Sequence, residues 1–327
     1  MKLPGRDETR SHLGFLVMSM VIAALALSAC TVPAAKSAKA AHSSAQSTAP
    51  STSSSPSPSP TPTGAPVHIR LYESDGSTYG VGMPIIAYVS ASITSAAAFD
   101  AATTVTVNGA PANGAWYFEK SAVYAGYPLE AHYRPPAYWP AHAKIEMHLA
   151  TKDKSAGPGL LFDDSIDLSM STGAAQVSTV DGATEQMTVV SDGVTVKTMP
   201  VSLGKATTPT FTGTKVVMAK NNPKEMISTT PGDSYDLMVP WSVRVTNSGE
   251  FVHAASWNGG NIGSRSTSNG CTNLNPADAQ WYYNFAQIGD PVTYTNTGGG
   301  PMPVWDGYGD WNMPWSTWAK GGVVPQQ

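Results

Sequence analysis

Two side chains form the pair best suited to covalent chemistry, Cys271 and His253. The chain has two cysteines, Cys30 and Cys271, and after His148 its one histidine is His253. Any cysteine–histidine chemistry in the second half must therefore use this pair. A free thiol with a pKa of ~8.5 is little ionised at neutral pH, so it needs a partner to act as a nucleophile. An imidazole can supply that help, as an ion-pair partner or as a base. Cys271 follows the glycine-rich loop from Asn258 to Gly270 and precedes a predicted helix, whose positive end favours a thiolate. Gly270 lets the backbone turn tightly and aim amide N–H groups at a reacting carbonyl. The combination describes a cysteine nucleophile for acyl transfer. A buried structural thiol beside a hydrogen-bonded histidine fits the same spacing.

The elements that must position this pair are mostly strands. Met187 to Val190, the turn Asp192-Gly193 and Val194 to Val196 form a hairpin signature. Val243 to Val245, Asn247-Ser248-Gly249 and Phe251 to His253 form a second, which puts His253 at a strand end. One helix is predicted from Pro276 to about Gln287, with Asn275 as N-cap, Pro276 at the first helical position and Gly289 just beyond the end. Pro291 to Thr295 reads as a closing strand. Four of the nine tryptophans, Trp305, Trp311, Trp315 and Trp318, lie in the last thirty residues and are expected to pack on this second unit. An aromatic platform for sugars is the alternative use for them.

Upstream, residues 67–172 read as an all-β spacer of sandwich type. The strand candidates are His68 to Tyr72, Pro84 to Val89, Thr104 to Val107 and Lys144 to Leu149, separated by turn signals such as Asn108-Gly109. Its aromatic clusters (Trp116-Tyr117, Tyr133, Tyr138-Trp139) are assigned to the core. His68, His132, His142 and His148 have no metal-ligand spacing, and no metal or organic cofactor is expected.

Composition narrows the function classes. Of 327 residues 41% are hydrophobic, enough for real cores, and 13% are charged. Nineteen Lys and Arg against 23 Asp and Glu leave a net charge of −4, so no basic excess exists to neutralise nucleic-acid phosphates. Lys2, Arg6 and Arg10 precede an apolar run from Leu13 to Ala29, and Leu27-Ser28-Ala29-Cys30 closes it. This is the pattern of a secretory leader (residues 1–29), and the small residues before Cys30 resemble a lipobox, in which that cysteine becomes the lipidated first residue. From Lys36 to Pro66, 27 of 31 residues are Ala, Ser, Thr, Pro or Gly, so residues 30–66 are expected to form an extended linker.

The segments Phe251-Val252-His253 and Ser268-Asn269-Gly270-Cys271-Thr272-Asn273, with the loop between them, resemble the signature of the L,D-transpeptidases of the YkuD family. There a histidine precedes a Ser-His-Gly-Cys-x-Asn segment. Asn275 to Tyr283 and Trp305 to Trp315 are similar to the actinobacterial branch of that family. The resemblance runs from about Val67 to the end and makes residues 67–172 an immunoglobulin-like spacer. Residues 173–298 become the catalytic domain, mainly β with one main helix, and 299–327 a Trp-rich segment packed on it.

Carried over residue by residue, the resemblance implies Cys271 as nucleophile and His253 as general base and acid. The Ala254 carbonyl orients the imidazole, where the family often has serine. Tyr235 and the Cys271 amide, presented after Gly270, hold the oxyanion. Trp257, Ser268, Asn269 and Asn273 line the substrate cleft. Asn269 departs from the family's histidine, and the segment Met226 to Tyr235 is shorter than the family's lid. The implied activity is the formation of 3→3 peptidoglycan cross-links through a cysteine acyl-enzyme. The implied partners are stem peptides and carbapenems, at the outer face of the cytoplasmic membrane, where the lipid on Cys30 would be the chain's single membrane contact. An L,D-carboxypeptidase, or an impaired peptidoglycan-binding lipoprotein, are the alternatives.

Overall fold

The computed structural model describes residues 63–93, 96–121, 124–229 and 234–322. Cys30, the leader and most of the linker lie outside the described residues. What is described is mostly β, in two units that each have their own sheets. In the first, one sheet runs in the spatial order Ile69–Leu71, Ile85–Val89, Leu129–Arg134, Ala115–Lys120. A second sheet has the order Thr78–Tyr79, Ile166–Thr172, Lys144–Leu149, Thr103–Val107, Ala110–Pro111.

The strand Lys144–Leu149 shows how the sequence sets this packing. Lys144, Glu146 and His148 are exposed while Ile145, Met147 and Leu149 are buried, the period-two pattern of a strand with one face in a core. That face meets Ile85, Trp116, Phe118 and Tyr133 from the opposite sheet. The short helix Ala97–Ala102, which the sequence reading did not foresee, places Phe99 edge-on to Trp116, Phe118 and Phe162 at 5.2–5.5 Å between ring centres.

The second unit has a five-stranded sheet ordered Val194–Pro200, Gln186–Ser191, Gln176–Asp181, Pro291–Thr295, Gly213–Val216. Its hairpin turns at Asp192 and Gly193, both with positive φ (47° and 81°), as a tight two-residue turn requires. A four-stranded sheet has the order Ala219–Asn221, Ser242–Arg244, Phe251–Ala254, Thr272–Leu274. Val180, Met187, Val189 and Val292 of the first sheet share a core with Val243, Val252 and Leu274 of the second. Ala279 and Tyr282 of the helix Pro276–Phe285 enter the same core. A separate two-stranded hairpin pairs Lys224–Ser228 with Tyr235–Val239.

Two expectations for this region are corrected. The helix ends at Phe285, and Asn275 holds the N-cap position without a side-chain capping bond. Gly289 is therefore not the residue that stops the helix. With φ of 98° it passes so close to Gly80 that a side chain would collide, and the Gly82 amide donates to its carbonyl at 2.9 Å. The Gly80 amide donates to the Ile288 carbonyl at 2.8 Å. Backbone hydrogen bonds thus tie the two units to each other.

The tail is the other correction. Its early part does contact the second unit, where Asn312 bonds the backbone of Thr214 and Asp306 accepts from Ser248. Three of its four tryptophans, however, return to the first unit. Trp311 donates to the Gly82 carbonyl, Trp318 donates to the Ala115 carbonyl, and the Trp318 ring lies on Tyr117. Trp311, Trp315 and Trp318 surround the guanidinium of Arg134 at 4.5–5.6 Å. A cation held among aromatic faces explains why a polar-edged sheet surface recruits this segment. It also leaves Trp305 as the one exposed tryptophan of the four.

Candidate active site

The parallel pairing of Phe251–Ala254 with Thr272–Leu274 is what brings the two candidate residues into one site. His253 pairs with Asn273 in that register, and Cys271 sits immediately before the strand. Gly270 has φ of 104°, a conformation that L side chains rarely adopt, and the chain enters the strand through it. The loop before it is fastened to the body at several points. Thr210 Oγ1 donates to the Gly270 carbonyl at 2.8 Å, and Ser268 Oγ donates to the Cys271 carbonyl at 2.6 Å. Thr208 Oγ1 donates to Asn269 Oδ1 at 3.1 Å.

His253 Nδ1 lies 2.9 Å from the Ala254 carbonyl, which can only accept, so Nδ1 carries the proton and Nε2 is left as the basic nitrogen. The contact is to the backbone carbonyl, which alanine offers as any other residue would. The imidazole lies on the ring of Trp257, with centroids 6.0 Å apart and 29° between planes. Trp257 is 57% exposed, so it faces the opening rather than the core. His253, Cys271, Tyr235, Trp257, Ser268, Asn269 and Asn273 all line one cleft of about 260 Å³. The site residues expected from the sequence thus come together, with Gly270 and Ala254 acting through their backbones.

The resting electrostatics differ from the expectation of a preformed thiolate. Cys271 is 8% exposed, and burial pushes its thiol up to about 11, opposed by the Phe251 amide that points at the sulfur. Burial likewise pushes His253 down to about 4. The helix cannot correct this, because the strand Thr272–Leu274 stands between Cys271 and its first turn at Pro276. The thiol instead lies 3.7 Å from the Gly249 carbonyl. Both groups are neutral near pH 7, so the proton must pass from sulfur to imidazole as the sulfur attacks.

A feature the sequence reading missed lies directly behind the sulfur. Lys215 Nζ forms an ion pair with Glu250 Oε2, and both residues are buried. Glu250 also accepts the Phe211 amide at 2.8 Å, while Lys215 lies 3.8 Å from the centre of the Tyr294 ring. The sign visible in the sequence was a charge at the start of each of two apolar runs, Lys215-Val216-Val217 and Glu250-Phe251-Val252. Removing one partner strands the other in a dry interior. Lys215→Met is expected to lower unfolding stability by about 3–5 kcal/mol. Urea denaturation measures this, and adding Glu250→Gln to the same chain should restore much of the loss.

The comparisons with known proteins follow this geometry. The profile of the YkuD family, the L,D-transpeptidase catalytic domain, matches residues 175–293, and that of a bacterial Ig domain matches residues 33–155. L,D-transpeptidase 2 of Mycobacterium tuberculosis is 33% identical over 266 residues, covering 79% of this chain and 63% of the relative. The probable L,D-transpeptidase 3 of the same species is 32% identical over 238 residues, covering 66% of this chain and 82% of the relative. The chain belongs to the L,D-transpeptidase family. Among solved structures, that of the LD-transpeptidase LdtMt1 in complex with imipenem superposes with a TM-score of 0.58 at 25% identity, covering 72% of this chain and all of that one. The L,D-transpeptidase 2 match spans under two thirds of that relative's length.

Of the segment Met226 to Tyr235, Met226 to Ser228 and Tyr235 belong to the paired strands Lys224–Ser228 and Tyr235–Val239. The hairpin carries exposed apolar side chains, Ile227 at 59%, Leu237 at 40% and Met238 at 61%. A second cleft, about 580 Å³, includes Lys224, Arg244, Ser248 and Phe251. Met226, Tyr235, Asn269 and Cys271 line both clefts, so two openings converge on one sulfur.

Proposed function

We propose that this protein is a peptidoglycan L,D-transpeptidase that makes 3→3 cross-links through a thioester on Cys271. The observation that carries the reading is the pair of clefts meeting at the sulfur, because a transfer between two peptide stems needs room for a donor and an acceptor. Family membership supports the acyl-transfer chemistry.

In the first half, His253 Nε2 takes the thiol proton as Sγ attacks the carbonyl of the third residue of a tetrapeptide stem. The Tyr235 hydroxyl and the Cys271 amide stabilise the oxyanion. The C–N bond to D-alanine then breaks, its amine leaves with the proton from His253, and a thioester remains. In the second half, the side-chain amine of a diamino acid on another stem attacks that thioester. His253 takes the amine's proton and returns it to sulfur as the new amide forms. Asn273 Oδ1 is buried in the cleft wall with no donor among the described residues, which makes it an acceptor for a peptide N–H. A lipid on Cys30, the linker and the spacer unit would carry this site from the outer face of the cytoplasmic membrane into the wall. Carbapenems would acylate the same sulfur, as the imipenem complex of the structural relative suggests.

Incubation with purified tetrapeptide muropeptides and mass spectrometry tests the reading. Cross-linked dimers with loss of D-alanine are expected. Tripeptide alone would make the protein an L,D-carboxypeptidase, and unchanged substrate that remains bound would leave a binding lipoprotein with a decayed site. Asn269→His is expected to retain activity within a few-fold in this assay, since Asn269 accepts a hydrogen bond from Thr208 and carries no charge. A collapse of turnover in that variant would show that the loop has been rebuilt around asparagine.

A further inference from the structure

The first unit contains ionisable side chains that acyl transfer does not use. Glu119 lies on the strand Ala115–Lys120, directly opposite Glu130 on Leu129–Arg134, and His132 follows two residues later on the same face. Asp310 comes down onto them from the tail. All four are buried, with exposures of 2%, 5%, 1% and 0% in that order.

Their spacing is informative. His132 Nδ1 lies 2.9 and 3.0 Å from the two Asp310 carboxylate oxygens, so it donates there and turns Nε2 towards the glutamates. Nε2 is 3.6 Å from Glu119 Oε1 and 3.8 Å from Glu130 Oε1. Those separations are too long for hydrogen bonds. No donor reaches either oxygen of Glu119, Oε2 of Glu130 or Nε2 of His132 among the described residues. One ligand atom from each of the three residues nevertheless lies within 4.8 Å of the others. Two ligands on one tetrahedral ion, with bonds of ~2.0–2.1 Å, are ~3.4 Å apart. The two ring-to-carboxyl separations thus suit ligands that share an ion, while Glu119 and Glu130 lie close enough to share a proton when no ion is bound. Histidine held by a carboxylate behind it is also the usual support of a metal ligand.

Arg134 lies on the same strand face as His132, and its charge acts on Asp310. Glu73, buried nearby, has its carboxylate taken by the Ile86 amide. A dication bound by a neutral His132 would balance Glu119, Glu130 and Asp310 against Arg134. Access exists as well, because Glu130 lines a cleft of about 400 Å³ at the junction of the two units, with Tyr72, Met218 and Tyr308.

We propose that Glu119, Glu130 and His132 bind a divalent metal ion of the zinc class, with Asp310 orienting the histidine. One imidazole among carboxylates favours such ions over calcium or magnesium, which take oxygen ligands. Because Asp310 belongs to the tail and the ligands to the spacer, the ion fastens the tail across the first unit. No linear motif announces this site, since its parts come from two strands and a segment 178 residues downstream of His132.

The test uses zinc and cobalt(II) chloride on the Cys271→Ala chain, which removes the thiol as a competing ligand. One equivalent of cobalt is expected to bind, with visible d–d bands and no thiolate charge-transfer band. The unfolding temperature should rise with zinc and fall with a chelator. Asp310→Asn should weaken binding by about 10–100-fold, and Glu119→Gln should remove both the bands and the response to zinc. If Glu119→Gln does not fold, the zinc and chelator response of the Cys271→Ala chain decides. Absence of any bound ion, with an unfolding temperature indifferent to zinc and chelator, would overturn the proposal and leave a proton shared by Glu119 and Glu130.

Discussion

Cys271→Ala is expected to abolish both acylation and cross-linking while the protein remains folded. The reaction forms a bond to sulfur, and Cys271 is the one cysteine among the described residues. Retained oxyanion donors and substrate contacts cannot supply a covalent intermediate, so the loss is total rather than a fixed factor. The fold should tolerate the change because the thiol's polar contacts are weak, to the Gly249 carbonyl at 3.7 Å and with the Phe251 amide, and alanine fits the same buried position. Circular dichroism and thermal unfolding of the variant check the second half of the expectation. Mass spectrometry of muropeptide reactions checks the first, and substantial residual cross-linking would refute the assignment of the nucleophile.

His253→Ala is expected to lower turnover by about 10²–10⁴-fold, the usual worth of a positioned acid–base group. Its pH dependence is the more specific signature. The imidazole works as a base in its neutral form, and burial pushes its pKa down from 6.5 to about 4. The acid limb of kcat/KM should therefore fall near pH 4, with activity maintained through pH 6, where an ordinary histidine would already be failing. The same depression links to stability. The unfolded chain takes up this proton below about 6.5 and the folded chain resists doing so until about 4. The stabilisation is complete above the higher value and disappears as pH falls through that window, amounting to about 3 kcal/mol. Replacing His253 by glutamine should flatten that part of the stability profile.

How much of this was legible in the sequence depended on whether the information was local. The strand Lys144–Leu149 and the turn at Asp192-Gly193 announce themselves by alternation and by a dipeptide suited to positive φ. His253 and Cys271 were found because no other histidine and cysteine remained in that half of the chain. Their electrostatic state was not legible, since desolvation depends on what covers the groups, and the strand separating Cys271 from its helix is only three residues long. The Lys215–Glu250 pair, the return of the tail tryptophans to Arg134 and the Glu119–Glu130–His132 cluster all join residues far apart in the chain. Each is decided by tertiary packing, which a period-two or helical pattern does not encode.

The central claim is that a neutral, buried thiol beside a neutral imidazole is still reachable and becomes nucleophilic as it reacts. Intact-protein mass spectrometry after exposure to imipenem at neutral pH tests it most directly. A single covalent adduct mapped to Cys271, absent from Cys271→Ala and formed much more slowly in His253→Ala, is the predicted result. An unmodified protein, or an adduct that persists when Cys271 is replaced, would contradict it.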